Sequence, residues 1–267
     1  MEYYNKLIET LKEIGEANKK VTQSFNLFNN PIQISKDFSE SIRESLKQAL
    51  KNLSFPEISF DYEQLEKIAN HNARCGWTMT GDTPINFYLD EKLLNLNQKK
   101  IDALFVSFYE NENFKEIFKL KEVLLEGLNS KWHDLVKVSI DLYFTENYRI
   151  SIPTLITIIE GEIGELLDTL KYGSPLMKEF KGKIDTNDKF LAVASYSVFY
   201  FFKNNLFKNH DFNKKRRAII NRNWVLHGKD DPEIWNRLDV LRLLNTLASI
   251  QFMKTMKTKS IIAEIPK

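Results

Sequence analysis

Apolar residues recur at helical spacing over most of the chain, and the clearest runs in the first half are separated by breaks. Spacings of three and four residues between apolar side chains predict amphipathic helices at 2–20, 39–53, 60–69 and roughly 90–128. Proline, glycine and asparagine clusters interrupt this pattern at 29–31, 55–56 and 73–90. The first half therefore reads as helices joined by short irregular segments.

The helical pattern is more regular after residue 130. It predicts helices at 131–144, from about Pro153 to a stop near Gly173, at about 189–206, at about 214–227 and from Pro232 onward. A loop carrying Pro175, Gly182 and Asp185 is expected before the helix at 189–206. Pro153 is expected near a first turn, where its missing N–H costs least. Gly228 is expected to cap the helix at 214–227, because glycine adopts the left-handed conformation without strain. Asp231 and Pro232 are expected to start the last helix as its cap and first residue.

Composition supports an all-α protein built as a helical bundle. Nine glycines and seven prolines among 267 residues leave little material for the tight turns of a β fold. The single cysteine, Cys75, excludes an intramolecular disulfide and suits a reducing compartment. The most apolar stretch, 190–202, is shorter than the roughly 20 residues that span a bilayer. We expect a cytoplasmic protein without a secretory signal or a membrane anchor.

The distribution of charge is more informative than its total. The net charge is +2, yet the segment 203–229 carries eight basic residues and one acidic residue, a formal charge of +7. Lys214, Lys215, Arg216 and Arg217 form its densest part. Such a run is usually a solvated helix face. It would also suit a phosphate-binding surface for RNA, because clustered cations release counterions from a nucleic-acid backbone.

The stretch NRNWVLHG, residues 221–228, concentrates the residues that could carry chemistry. Asn223 and His227 are four residues apart and share a helical face. Arg222 is five residues before His227, about 140° away around an ideal helix. The two would converge only if the arginine reached around the helix, if the last turn unwound, or if a second subunit supplied one of them.

These residue types suit cleavage of RNA by its own 2′-hydroxyl. Histidine moves protons near neutral pH, and an arginine fork stabilises charge on phosphoryl oxygens. No metal ion or other cofactor is required when the nucleophile belongs to the substrate. The competing interpretation is structural: a His-Gly pair is also a common end of a helix, with the histidine favoured by the helix dipole.

The motif Arg222-Asn223 with His227 resembles the R-x4-H motif of HEPN-domain ribonucleases, and the trailing LHG is typical of bacterial members. Upstream, IPTLITIIEG is similar to a partner helix of that family, matching it at Ile152-Pro153, Leu155, Ile159 and Glu160-Gly161. Trp132-His133 resembles a pair at the start of the preceding helix, and Cys75-Gly76-Trp77 is a fainter match. The resemblance covers roughly residues 129–255.

The resemblance implies a HEPN-like helical bundle at 129–267, preceded by an additional helical region of unknown role at 1–128. It implies a homodimer with a composite active site, and a metal-independent endoribonuclease that leaves a 2′,3′-cyclic phosphate. In this family such enzymes act in anti-phage defence, in abortive infection or as toxins, and an antitoxin or regulatory partner is expected. Arg222 and His227 would carry the reaction, with Asn223 supporting. Glu160 would either orient one of them or be a solvent-facing glutamate or the partner of an arginine of the bundle. The alternative is a non-catalytic HEPN bundle that serves as a scaffold or antitoxin and binds RNA or protein.

Other polar and aromatic residues favour structural roles. His71 and Cys75 share a helix face but lack the further ligands of a zinc site. His133 and His210 are expected to do no chemistry. Tryptophans can stack on RNA bases, and Trp224 lies within the motif, yet a tryptophan at helical spacing is more often part of the core.

Overall fold

A computed structural model describes residues 62–184 and 189–263, and within these ranges the chain is helical and contains no strand. The described residues belong to one compact unit that begins at Phe60. The predicted all-α class is confirmed for this part of the chain. The helices predicted at 2–20 and 39–53 lie outside the described residues, as do the breaks at 29–31 and 55–56.

The helices, numbered in chain order, are α1 (Tyr62–Arg74), α2 (Ile85–Tyr88), α3 (Gln98–Gly127), α4 (His133–Phe144), α5 (Tyr148–Leu166), α6 (Gly173–Gly182), α7 (Lys189–Phe201), α8 (Arg222–Leu226) and α9 (Arg237–Ala263). The shorter turns are the 3-10 segments Glu91–Asn95, Ser130–Trp132 and Pro232–Ile234 and the π-helical turn Phe202–Leu206.

Helix α9 is the centre of the bundle and packs against α5, α3 and α7. Every residue from 239 to 251 is buried, so this helix is enclosed on all sides instead of presenting one apolar stripe. Helix α1 packs on α7, and α4 packs on α5. One hydrophobic core joins these helices, and it crosses position 128, where the resemblance to HEPN domains begins.

A buried ion pair ties α3 to α9 inside this core. The Nη2 atom of Arg242 lies 2.6 Å from Oδ1 of Asp102, which also accepts hydrogen bonds from Trp77 Nε1 at 2.9 Å and Gln98 Nε2 at 3.0 Å. Gly76, at φ +92°, lets the backbone pass Arg242, since a Cβ there would lie 2.5 Å from the Arg242 Cδ atom. The irregular segment predicted at 73–90 is therefore shaped by an arginine far away in sequence.

Helix α3 is interrupted by a kink at residues 111–114. Glu112, Asn113 and Phe114 have φ values of 51°, 57° and 61°, in the left-handed region that non-glycine residues avoid at a cost of about 1–2 kcal/mol each. Buried residues flank the kink on both sides, with Phe105 and Tyr109 before it and Ile117 and Leu120 after it. The change of direction allows both halves of the helix to contribute to the core.

Helix boundaries between 145 and 182 differ from the prediction. The chain turns at Glu146, which has φ +59°, and helix α5 begins two residues later at Tyr148. Pro153 therefore lies inside the helix and not in its first turn. It ends at Leu166, well before Gly173. The segment predicted to be a loop with Pro175 and Gly182 is helix α6. Pro175 is tolerated there because it lies in the first turn.

The largest difference between the predicted and observed helices is in the basic segment. The predicted helix at 214–227 is wrong over most of its length: residues 214–221 are irregular, and only Arg222–Leu226 are helical. Asp231 and Pro232 do start a turn, with Oδ1 of Asp231 accepting from Glu233 N at 3.0 Å, but this turn is 3-10 and α9 begins later. The apolar helix predicted at about 189–206 is confirmed as α7 with its π-helical end. No helix within the described ranges is long and apolar enough to cross a membrane.

Candidate functional site

The motif NRNWVLHG forms a single helical turn, α8, that Asn221 caps at its start. The buried Asn221 side chain accepts hydrogen bonds through Oδ1 from the backbone N–H groups of Asn223 (3.1 Å) and Trp224 (3.3 Å). Its Nδ2 donates to the carbonyls of Asn205 (2.9 Å) and Lys208 (2.8 Å). One amide group therefore starts α8 and joins it to the end of the preceding helix. Sequence reasoning missed this residue, although asparagine is a preferred N-cap.

Gly228 ends the same turn, as predicted from the sequence. Its φ of +63° lies in the left-handed region. The N–H of Gly228 donates to the carbonyl of Val225 (3.1 Å), and the N–H of Lys229 donates to that of Trp224 (2.8 Å). These two bonds define a Schellman motif, which satisfies the carbonyls left free at a helix end. Helix α8 is thus fixed at both ends despite being only one turn long.

Arg222 reaches from α8 to α5 and pairs with Glu160. Its Nη2 donates to Glu160 Oε2 at 3.0 Å, and its Nη1 donates to Asn223 Oδ1 at 3.2 Å. The two paired side chains are 16% and 18% exposed. Two buried atoms have no partner among the described residues, Arg222 Nε and Glu160 Oε1. Three of the four residues predicted for the site, namely Arg222, Asn223 and Glu160, therefore form one cluster with spare hydrogen-bonding capacity.

The segment of α5 that carries Glu160 is positioned by the next residue. A Cβ on Gly161 would lie 2.8 Å from Cζ2 of Trp132, so the glycine makes room for that indole ring. The Trp-His and IIEG segments, which the resemblance picked out separately, are thus packing partners. One residue further on, the fully buried Glu162 accepts hydrogen bonds from Gln251 Nε2 at 2.9 Å and from Lys254 Nζ, which fixes α5 against α9.

His227 lies at the opposite end of α8 and is exposed. Its ring contacts that of Phe212, with centroids 6.0 Å apart and an interplanar angle of 67°. The described residues include no hydrogen-bond partner for the imidazole, and Arg222 and His227 are not hydrogen-bonded to each other. Within one chain, the two residues predicted to carry the reaction are therefore held on the same turn but are not brought together.

The basic segment divides into a half-buried part and an exposed part. Arg216 Nε donates to Asp230 Oδ1 at 2.7 Å, and Arg217 Nη2 donates to the carbonyl of Asn204 at 2.6 Å. Lys214 and Lys215 are exposed. Of the four residues predicted to bind RNA, the two arginines are engaged in fixing the loop, and the two lysines face solvent. Their role in RNA binding remains a prediction.

Asp230 is a further residue that the sequence did not single out. Its second oxygen accepts from Trp235 Nε1 at 2.8 Å. The chain that leaves the motif is therefore tied both to the basic loop, through Arg216, and to the start of α9.

The remaining candidates occupy structural positions. Trp224 is buried, and its Nε1 donates to the His210 carbonyl at 3.1 Å. The ring of His71 hydrogen-bonds to the carbonyl of Leu96 at 3.2 Å, and burial together with Asp102 raises the pKa of the Cys75 thiol to about 11. The described part of the chain contains no group of three or more His, Cys, Asp or Glu residues that could hold a metal ion.

No protein-family model, curated protein or solved structure matches the chain. The chemistry of the site therefore has to be argued from its own geometry. That geometry offers a fixed cation beside a carboxylate and an amide, an exposed imidazole one turn away, and lysines on the adjoining loop. The arginine and the lysines suit an anionic ligand, and the imidazole suits the transfer of a proton to or from that ligand.

Proposed function

We propose that the chain is a metal-independent endoribonuclease of the HEPN type. The 2′-hydroxyl of the RNA attacks the adjacent phosphorus, the bond to the 5′-oxygen breaks, and the products carry a 2′,3′-cyclic phosphate and a 5′-hydroxyl. The observation that carries this proposal is the arrangement around α8, with Arg222 fixed by Glu160 and Asn223 at one end and the His227 imidazole open to solvent at the other.

Arg222 would stabilise the charge that develops on the phosphoryl oxygens. A guanidinium fixed in advance loses little freedom when the transition state forms, which is where most of its effect on the rate arises. Glu160 and Asn223 each accept from one of its two Nη atoms. Each Nη carries a second N–H, so the group retains donors for a phosphate.

His227 would transfer the protons of the reaction. One is removed from the attacking 2′-hydroxyl and one is delivered to the leaving 5′-oxygen, and histidine is the residue type best suited to both near neutral pH. Its exposure gives an RNA strand direct access to the ring.

Two copies of the chain would complete the site. Arg222 bonds to Glu160 and Asn223 while the His227 ring packs on Phe212, so a phosphate bound by both is most simply placed between two motifs related by a two-fold axis. This arrangement, together with the resemblance to bacterial HEPN proteins, supports a homodimer that acts in anti-phage defence or as a toxin controlled by an antitoxin or regulatory partner.

The test is cleavage of a single-stranded RNA in EDTA by the wild-type protein and by Arg222→Ala and His227→Ala. We expect each substitution to lower the rate at least 100-fold, in line with the loss of a charge-stabilising or proton-transferring group. Arg237→Ala is the matched control, because Arg237 also pairs with a glutamate, Glu110, at 3.0 Å. His133→Ala controls for the loss of a histidine.

Undiminished cleavage by both motif variants would falsify this assignment of the active site. Loss of all wild-type cleavage on addition of EDTA, with recovery on adding a divalent metal, would also overturn the proposed mechanism. Analysis of product ends separates the two chemistries, because a 2′,3′-cyclic phosphate requires attack by the substrate's own hydroxyl.

A second function is favoured by a different observation. Arg222 already has a carboxylate partner, and Arg216 and Arg217 are engaged within the chain, as expected for a bundle that uses these residues for structure. Such a protein would be a non-catalytic scaffold or antitoxin that binds RNA or another protein. Growth arrest on expression, relieved by His227→Ala, supports the enzyme; equal growth with both proteins supports the scaffold.

A further inference from the structure

Phe212 is an apolar ring held at the surface beside the proposed active site. It lies at the tip of a turn in which Lys214 N donates to the Asp211 carbonyl (3.0 Å) and Asn213 N donates to Asp211 Oδ1 (3.0 Å). The residue remains 44% exposed although the buried core of the bundle is close in sequence. Phe212 is therefore an apolar side chain that the fold leaves largely in contact with solvent.

The ring of Phe212 is nevertheless fixed in orientation. It packs edge-to-face against Trp224, with centroids 6.0 Å apart, and against His227, also at 6.0 Å. Trp224 is itself held by its hydrogen bond to the His210 carbonyl and by stacking on the His210 ring at 5.4 Å. A surface aromatic group that is already ordered loses little conformational entropy when a ligand stacks on it.

Four exposed lysines lie on the same loop and on the exit from the motif: Lys208, Lys214, Lys215 and Lys229. None of the four forms an ion pair with another of the described residues, in contrast to Arg216 and Arg222 of the same basic run. Four unpaired positive charges therefore lie within four residues of Phe212 or His227 in the sequence. We refer to Phe212, His227 and these lysines as the Phe212 surface.

We propose that the Phe212 surface binds single-stranded RNA, with an unpaired base stacked on Phe212 and neighbouring phosphates on the lysines. Stacking on an aromatic side chain accepts any base but requires that the base be unpaired, whereas a duplex buries the base faces. Because the Phe212 and His227 rings are in contact, a base held on Phe212 brings its own ribose and phosphate next to the imidazole. The inference rests on the proposed function and adds to it that the substrate is single-stranded and that Phe212 selects it.

The test measures binding separately from cleavage. Fluorescence anisotropy is recorded with a labelled 12-nucleotide RNA of mixed sequence that is 2′-O-methylated throughout, so that no 2′-hydroxyl can attack. The same strand is then measured as a duplex with its complement. We expect the wild-type protein to prefer the single strand, and Phe212→Ala to weaken single-strand binding by on the order of tenfold while leaving duplex binding unchanged.

Two controls separate stacking from a loss of folding. Phe212→Tyr keeps a ring and is expected to bind within about twofold of the wild type. Phe118→Ala removes another exposed aromatic residue, one that stacks on Phe144 away from the motif, and is expected to change nothing. Replacing Lys214 and Lys215 with alanine should reduce the slope of log affinity against log salt by about 0.7 for each lysine that contacts a phosphate.

Several results would overturn the role of Phe212. They are single-strand binding by Phe212→Ala equal to that of the wild type, equal losses for single strand and duplex, and failure of the wild type to bind either RNA. A wild-type protein that binds the methylated strand in a Phe212-dependent way but cleaves no unmodified RNA would instead refute the ribonuclease proposal and leave the stacking role intact.

Discussion

Two arginine–carboxylate pairs in this protein each join two helices at short distance, but they differ in burial and in their other hydrogen bonds. Arg242 pairs with Asp102 between α9 and α3, and Arg222 pairs with Glu160 between α8 and α5. In the first pair the arginine side chain is 3% exposed, and the Asp102 oxygen that it contacts also accepts from Trp77 and Gln98. In the second pair the arginine is 16% exposed, and one oxygen of Glu160 is left without a partner.

The difference indicates what each pair is for. A buried pair whose acceptor oxygen already has three donors is out of a ligand's reach, and its effect is to fix two helices relative to each other. A pair near the surface whose arginine has N–H groups to spare, beside an exposed histidine, can still bind a phosphate. The number of donors around the carboxylate therefore separates the two roles better than the ion-pair distance, which is short in both.

The strongest test of this comparison is removal of the core arginine. Arg242→Ala leaves Asp102 buried without its cation, and we expect the free energy of unfolding to fall by about 3–5 kcal/mol. Arg222→Ala should cost about 1 kcal/mol, because Glu160 can be rehydrated at the surface. Urea denaturation followed by circular dichroism compares the two variants. Equal losses of stability would contradict the distinction between the pairs.

The second prediction concerns the carboxylate of the site. Glu160→Gln keeps an acceptor for Arg222 but removes its charge, so the guanidinium is held less firmly. We expect kcat for RNA cleavage to fall about tenfold with KM within twofold of the wild-type value, since positioning matters most in the transition state. The matched control is Glu110→Gln, whose carboxylate is also 18% exposed and pairs with Arg237. A similar fall in kcat for the control would argue against a specific role for Glu160.

The smallest predicted effect on stability is at Cys75, whose thiol pKa depends on the charges of Asp102 and Arg242. Burial and Asp102 raise the pKa of its thiol from 9.0 to about 11, and Arg242 opposes the rise. Because the folded-state pKa is the higher one, this contribution to stability is complete below pH 9 and is lost as the pH rises toward 11. Between pH 8 and pH 10 the wild type should lose about 1 kcal/mol relative to Cys75→Ser.

The tyrosines are common to the wild-type and Cys75→Ser proteins, so their own titration cancels in that difference. Iodoacetamide gives an independent measurement, since only the thiolate reacts. With a pKa of about 11, the thiolate fraction at pH 8 is about 100-fold lower than at the ordinary value. Rapid alkylation of the folded protein would show that the thiol is not buried in the way described.

Residue spacing predicted the parts of the fold that follow from local chemistry. The apolar run that became α7 and the glycine that caps α8 could be anticipated because each depends on neighbours in sequence. The contact between Glu160 and Arg222 was a suggestion from resemblance, and the structure places the two side chains in contact.

Features that depend on tertiary contacts could not be read from spacing. The basic stretch at 214–221 has the composition of a helix, yet Arg216 and Arg217 bond to Asp230 and to a backbone carbonyl, which holds the segment in an irregular path. Pro175 suggested a loop because prolines are common both in loops and in the first turn of a helix, and the sequence does not distinguish the two. The exposed aromatic residue of this region is Phe212, and Trp224 is buried. Which of the two rings is buried depends on tertiary packing and does not follow from their spacing.

The shortness of α8 has a consequence for how this protein can be switched on and off. A helix of five residues does not persist in water by itself, because nucleation is unfavourable and a single turn supplies too few bonds to offset it. Arg222 and His227 hold their relative positions only while Asn221, Gly228 and the surrounding bundle are in place. The fraction of molecules with an organised site should therefore equal the fraction that is folded, and excised peptides containing the motif should be inert. A partner that binds and unfolds the 208–228 segment would silence the protein without touching either residue.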